Sequence, residues 1–272
     1  MKICVLNITP VPAEYVAGNL ERLQLCCAKV LSPGTELHFR APATGCITLP
    51  QYLEDFRNPW FAHLVKHEVI RSILAAHEEG FDAIVVDCFD DPGVAEARSR
   101  ISTPVFGLSE PTFHHACLLG ARFGALVPDM PGQAAFVEAQ IVAMGLGSRL
   151  IPRGVRVETK PFTESFAEAL VTPRAMIDRL EVQARELVDD GADVVVIACG
   201  GLGQICGREG FHTLEHRGTA VPVVNPLTTA VKTAETMVQL QRVLGIPLPS
   251  RVHMPRLGVE DFARIEAGFP GG

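Results

Sequence analysis

Short, continuous apolar runs punctuate the chain at Ile3–Leu6, Ala83–Val86, Val105–Phe106, Gly124–Val127, Val194–Ala198 and Val221–Val224. Runs of this length and continuity read as buried strands. Between them, apolar residues recur at helical spacing from Phe61 to Glu79, ending at Gly80, and from Phe166 to Val188, ending before Gly191. The segments Ala134–Met144 and Thr229–Leu244 carry the same spacing and predict two further helices. Strands alternating with helices predict an α/β fold whose parallel sheets are flanked by helices.

One stretch of that pattern occurs twice. Glu79-Gly80-Phe81-Asp82-Ala83-Ile84-Val85-Val86-Asp87-Cys88 aligns without a gap on Asp190-Gly191-Ala192-Asp193-Val194-Val195-Val196-Ile197-Ala198-Cys199. An acid, a glycine, an aspartate, an apolar strand and a terminal cysteine coincide. Downstream, Thr103-Pro104-Val105-Phe106 mirrors Ala220-Val221-Pro222-Val223-Val224, and upstream Ile3–Leu6 mirrors Gly124–Val127. A duplicated unit predicts two pseudo-symmetric lobes. In open parallel sheets, ligands bind beyond the carboxyl ends of the strands. Both cysteines stand there, so the repeat predicts two thiols facing each other across a shared ligand.

Composition narrows the classes. The 272 residues allow about two small domains, and 47% hydrophobic with 20% charged residues is ordinary for a globular chain. A net charge of −7 with no basic block argues against a nucleic-acid or anionic-membrane partner. The opening MKICVLNITPVP breaks at Thr9-Pro10, too early for a signal segment, and no stretch approaches the roughly 20 apolar residues of a membrane span. The expected home is therefore cytoplasmic, where thiols stay reduced. The eight cysteines then form no disulfide framework, and without C-x-x-C pairs they suggest no structural zinc. Cys4, Cys26, Cys27, Cys46, Cys117 and Cys206 have no partner in the repeat and read as packing residues.

Cys88 and Cys199 differ because each precedes a turn and a helix start. After Cys88, Asp90 or Asp91 suits an N-cap and Pro92 a first turn. After Cys199, Gly200-Gly201-Leu202-Gly203 lets backbone N–H groups approach a ligand. A helix N-terminus lowers a thiol pKa, so thiols poised near neutrality are expected. A poised base suits proton abstraction from carbon, and the exposed N–H groups suit a developing enolate oxygen. Two opposed thiols suit inversion of a stereocentre: one removes a proton from one face while the other delivers to the opposite face. A carbonyl beside the C–H makes a metal or organic cofactor unnecessary, and none is expected.

The stretch Asp87-Cys88-Phe89-Asp90-Asp91-Pro92-Gly93-Val94 resembles the first cysteine motif of hydantoin racemases in the aspartate/glutamate racemase superfamily. Val5-Leu6-Asn7 is similar to that family's opening strand and Asn, and Val105-Phe106-Gly107-Leu108-Ser109-Glu110 to its next strand and Glu. Gly191-Ala192-Asp193 through Ala198-Cys199-Gly200-Gly201 resembles the second cysteine motif; Pro222-Val223-Val224-Asn225 with Ala230-Val231-Lys232 resembles the closing strand and helix. The resemblance implies Cys88 and Cys199 as the acid/base pair. It implies Asn7 and Glu110 near the substrate, and the candidate substrate-binding set is completed by Phe89, Asp90, Gly200 and Gly201. It also implies that the chain crosses back, giving a first lobe of residues 1–115 with 229–272 and a second of 116–228. A small-molecule substrate is expected, and superfamily members often associate as homo-oligomers.

The second motif reads Ala-Cys-Gly-Gly-Leu-Gly where the family usually has Gly-Cys-Ala-Gly-Met, and neither residues 38–60 nor the tail from Pro247 match typical hydantoin racemases. A 5-substituted hydantoin leads as substrate, while a maleate-type cis–trans isomerase, an arylmalonate-type decarboxylase and a non-catalytic two-lobed binding protein stay open. His212-Thr213-Leu214-Glu215-His216 matches the H-x-x-E-H zinc pattern, but on a short segment ended by Gly218. The glycines Gly201, Gly203 and Gly207 miss the dinucleotide spacing by one. No metal is expected.

Overall fold

The structure, a computed structural model, describes residues 1–42, 53–252 and 259–268. Cys46 and part of the 38–60 stretch and of the tail lie outside the described residues.

The first sheet is built from β1 (Lys2–Asn7), β2 (Glu36–Arg40), β3 (Ala83–Asp87) and β4 (Val105–Phe106), in the order β2-β1-β3-β4 with every pair parallel. Its helices are α1 (Ala13–Cys27), α2 (Pro59–Glu78) and α3 (Val94–Arg100). Helix α4 (Ser109–Leu119) leads to the second sheet: β5 (Phe123–Asp129), β6 (Leu150–Pro161), β7 (Val194–Ile197), β8 (Thr213–His216) and β9 (Thr219–Val224). That sheet runs β6-β5-β7-β9-β8, parallel except for the β8–β9 hairpin. Helices α5 (Gln133–Ala143), α6 (Phe162–Val171), α7 (Pro173–Asp189) and α8 (Gly200–Glu209) belong to it, and α9 (Pro226–Leu244) and α10 (Val259–Ala267) close the chain. With the β8 edge removed, the two strand orders match. The α/β architecture is the one that the alternating pattern predicts.

The repeated acid-Gly-x-Asp pattern has a physical role in both copies. Gly80 and Gly191 take φ of 79° and 102°, a conformation that lets the preceding helix stop and the chain turn into a strand. Asp82 then receives the Lys2 amide on its carboxylate at 2.7 Å and gives its own amide to the Lys2 carbonyl at 2.9 Å. Asp193 receives the Ala121 and Arg122 amides at 3.0 Å each and gives its amide to Arg122 at 2.9 Å. Each aspartate thus pins the start of the neighbouring strand. The registers that result, Ile3 opposite Ala83 and Phe123 opposite Val194, are equivalent in the two sheets.

The helix expected from Phe166 to Val188 is two helices. Pro173 has no N–H to continue α6 and excludes the helical conformation at the residue before it. Thr172 accordingly swings to φ −129°, ψ 70°, and α7 starts afresh with proline in its first turn.

Period-two alternation sorts each strand between two cores. Ile84 and Val86 face an outer cluster with Val69 and Ile73 of α2. Val195 and Ile197 face another with Leu180 and Ala184 of α7. Val5, Ala83, Val85, Ala125, Val127 and Val196 share one inner cluster with Phe113, Leu227 and Val231, so both sheets are cemented through α4 and α9. Helix α9 begins at Asn225, whose side chain caps Leu227 and Thr228 at 3.0 and 3.1 Å and donates to the Gly203 carbonyl at 2.6 Å. It then runs along the first sheet, where Arg242 pairs with Asp82 and the buried Glu235 takes the Ser32 amide at 2.9 Å. Among the described residues, no helix is long and apolar enough to cross a membrane.

Candidate active site

Strand β3 ends at Asp87, and the next residue, Cys88, opens a tight turn: the Asp91 amide returns to the Cys88 carbonyl at 3.1 Å. Asp91 adopts φ 50°, which aspartate tolerates better than most residues. Its carboxylate accepts the amides of Leu108 at 2.6 Å, Ser109 at 3.1 Å and Glu110 at 3.3 Å, and the Ser109 hydroxyl. Asp91 is therefore a helix cap, as its position suggests, but for α4 and not for the helix that follows it in sequence. Helix α3 starts instead at Gly93, φ 75°, with no side-chain cap. The turn carrying Cys88 is thereby anchored to a second element.

Cys199 is the N-cap of α8. Its thiol makes no side-chain cap hydrogen bond, the nearby amides of Leu202 and Gly201 favour its thiolate, and its carbonyl accepts the Gly203 amide at 2.9 Å. The helix can start here because Gly200 lies flush against β3: a Cβ at Gly200 would overlap Asp87 Oδ1. Gln204, one turn on, donates Nε2 to Asp87 Oδ2 at 2.9 Å. Along the same helix, a Cβ at Gly207 would overlap Cys26 Sγ of α1. Gly200 and Gly207 thus serve close packing between the two halves, a role that the sequence pattern does not reveal. The two cysteine-bearing turns meet through this Asp87–Gly200–Gln204 contact, and the sulfurs are near enough for Cys199 to disfavour ionisation of Cys88.

The expectation of thiols near neutrality is corrected. Burial pushes Cys88 well up, Asp90, Asp91 and Cys199 add to the effect, and the Asp90 amide only partly opposes it. Burial pushes Cys199 up to about 12 against the pull of the Leu202 and Gly201 amides, with Asp87 and Asp90 adding to the rise. Desolvation outweighs the opposing backbone amides at both sulfurs.

The sequence profile of the Asp/Glu/hydantoin racemase family matches residues 22–234. The chain belongs to this family. It is 28% identical over 241 residues to a hydantoin racemase of Pseudomonas sp. (strain NS671), covering 88% of this chain and 87% of that one. It is 29% identical over 244 residues to a hydantoin racemase of Paenarthrobacter aurescens, covering 88% and 92%. The fold superimposes on allantoin racemase from Pseudomonas fluorescens with a TM-score of 0.70 at 24% identity, over 95% of this chain and 98% of that one.

Within this racemase-family fold, the charge of Asp90 disfavours ionisation of both sulfurs. Arg57, which the sequence reading did not single out, holds Asp90 at 2.5 Å, bonds Gln133 at the start of α5, and is sandwiched between the rings of Phe56 and Phe136 at 4.7 and 4.2 Å. Asn7 ends β1 opposite Asp87 in register, with its amide on Thr9 Oγ1 at 2.9 Å. The Phe89 ring turns into the inner core against Phe113, at 5.3 Å between centroids, while its carbonyl receives Gln140 Nε2 at 3.1 Å. Gly201 faces Phe162 and Phe166. Glu110 pairs with Arg98 at 2.8 Å and lines a mostly apolar groove with Phe106, His114, Met237 and Leu248, a groove that neither cysteine lines. Cys4, Cys26, Cys27 and Cys206 are buried and Cys117 is half-buried. The H-x-x-E-H residues lie on and beside strand β8 instead of a helix, with His216 on Asp189 at 2.8 Å. The sequence signals for the missed residues were faint. For Asp87 the available signal is a charge ending a wholly apolar run where the second copy has Ala198.

Proposed function

We propose that this chain is a cofactor-independent racemase or epimerase that uses Cys88 and Cys199 for 1,1-proton transfer at a carbon next to a carbonyl, with a 5-substituted hydantoin as the leading substrate. The observation that carries this reading is the convergence of two equivalent strand-end cysteines through the contact of Asp87 with Gly200 and Gln204. In the forward sense one thiolate takes the proton from the substrate carbon, and the C–H electron pair moves into the carbonyl as an enolate. The opposite thiol returns a proton to the other face, and its sulfur becomes the thiolate that serves the reverse reaction. Burial that raises both sulfurs makes a thiolate formed there a stronger base than one in water, which suits a weakly acidic C–H. Hydantoin racemase relatives over 88% of the chain favour the substrate class. The site would lie between a lobe of residues 1–115 with 229–272 and a lobe of 116–228.

The test is racemisation of a 5-substituted hydantoin, followed by circular dichroism, with C–H exchange in deuterated water read by mass. Cys88→Ala and Cys199→Ala should each slow inversion by at least about 100-fold, the lower range for loss of a positioned acid/base group. Either variant can still exchange deuterium at one face. Full inversion by either one overturns the two-base scheme. Carbon dioxide release from an arylmalonate would instead mark a decarboxylase, and undiminished ligand affinity after alkylation with no turnover beforehand would mark a binding protein.

A further inference from the structure

Asp87 is the buried ionisable group that the two-cysteine scheme leaves unused. It is 8% exposed at the end of β3, one residue before Cys88, and by alternation it shares the inner face with Ala83 and Val85. Its Oδ2 accepts Gln204 Nε2 at 2.9 Å, whereas Oδ1 is buried with no hydrogen-bond partner. Oδ1 fills the space that a side chain at position 200 would need, beside the N-cap that bears Cys199. Its charge is felt at Cys199. A buried acceptor lacking a donor is uncommon and unfavourable, unless something that binds supplies the donor.

We infer that Asp87 is a specificity-determining residue whose Oδ1 accepts an N–H of a bound cyclic ureide, orienting the acidic carbon between Cys88 and Cys199. The inference rests on the racemase reading above and deepens it to a substrate class. A carboxylate held in this place favours a ligand that offers N–H groups. It disfavours an anion such as maleate or an arylmalonate, because like charges would meet beside a buried carboxylate. Gly200 belongs to the same device, since a methyl group there would displace the carboxylate.

The experiment is titration calorimetry of the full chain with hydantoin, 1-methylhydantoin and 3-methylhydantoin. The wild type should bind hydantoin about 10- to 100-fold more tightly than the derivative methylated at the recognised nitrogen, as expected for a hydrogen bond to a charged acceptor. Asp87→Ala should lose that preference and bind all three alike. Asp87→Asn, whose amide oxygen still accepts, should fall between. Gly200→Ala should mimic Asp87→Ala, and Asp87→Ala/Gly200→Ala should bind no more weakly than Asp87→Ala alone, a non-additivity that independent packing defects would not produce. The double variant also refills the space left by the carboxylate, so its thermal unfolding separates a lost contact from a lost fold. Asp87→Ala keeping the wild-type preference, losses that simply multiply in the double variant, or a wild type that binds none of the three probes would each overturn the inference. The racemase reading is judged separately, by hydrogen exchange in the Cys88 and Cys199 variants.

Discussion

Replacing Asp91 by alanine tests how the Cys88 turn is held. The carboxylate accepts three main-chain amides, two of them on the fully buried Leu108 and Ser109, and the residue sits at φ 50°. Loss of a helix cap costs about 1–2 kcal/mol. Alanine in the left-handed region adds about 1–2 kcal/mol, and a second buried amide left without an acceptor about 1–3 kcal/mol. About 4 kcal/mol in total is expected where the wild-type carboxyl is neutral. Burial raises that carboxyl from 3.8 to about 6, against the hydrogen bonds from Ser109, Leu108 and Glu110. The folded state therefore holds the proton more tightly than the unfolded chain. The contribution is complete below the unfolded value and is lost as the pH climbs through about 6. Two units correspond to about 3 kcal/mol in the limit, of which about 2 kcal/mol falls between about pH 4.5 and about pH 8. Urea unfolding of wild type and Asp91→Ala across that interval should thus give a penalty that shrinks by about 2 kcal/mol as the pH rises. A penalty that stays flat or grows with pH would refute the reasoning.

Two further outcomes follow from contacts near the site. Gly207→Ala should destabilise by about 1–3 kcal/mol through overlap with Cys26 Sγ, and Cys26→Ala in the same chain should recover most of it, as read from urea midpoints. Asp90→Asn removes a charge that disfavours ionisation of both Cys88 and Cys199, so it should speed iodoacetamide alkylation of Cys88 roughly 3- to 10-fold, whereas Arg57→Ala strips that charge of its partner and should slow it.

The fold was legible where a residue type alone dictates geometry. Gly80 and Gly191 had to turn the chain, Asp82 and Asp193 had to find donors, and the apolar runs between them had to be buried. These requirements are local, and repetition made them visible. The break at Pro173 is equally local but is masked by apolar spacing that continues on both sides of it. The partners of Asp91, Arg57 and Gly200 were beyond reach for a different reason. Asp91 caps a helix that starts 18 residues later, Arg57 meets Gln133 across 76 residues, and Gly200 meets Asp87 across the repeat itself. Nothing in the pattern of a single segment encodes such pairings. The thiol environments were misjudged because a helix terminus is readable in sequence, whereas the depth at which it is buried is not.

The two copies of the repeat differ around their cysteines. The first closes its strand with Asp87 ahead of Cys88 and surrounds the sulfur with Asp90 and Asp91, leaving one amide, that of Asp90, to oppose their charge. The second closes with Ala198 ahead of Cys199 and sets that residue at a helix N-terminus, where the amides of Leu202 and Gly201 favour its thiolate. Matching backbones therefore hold sulfurs in unlike surroundings, acidic side chains around Cys88 and backbone amides near Cys199, with Asp87 packed against Gly200 where the two turns meet. An exactly symmetric pair could not tell the two edges of a ring apart. On the proposed racemase reading, this asymmetry would give a cyclic substrate one preferred orientation, with an N–H toward Asp87.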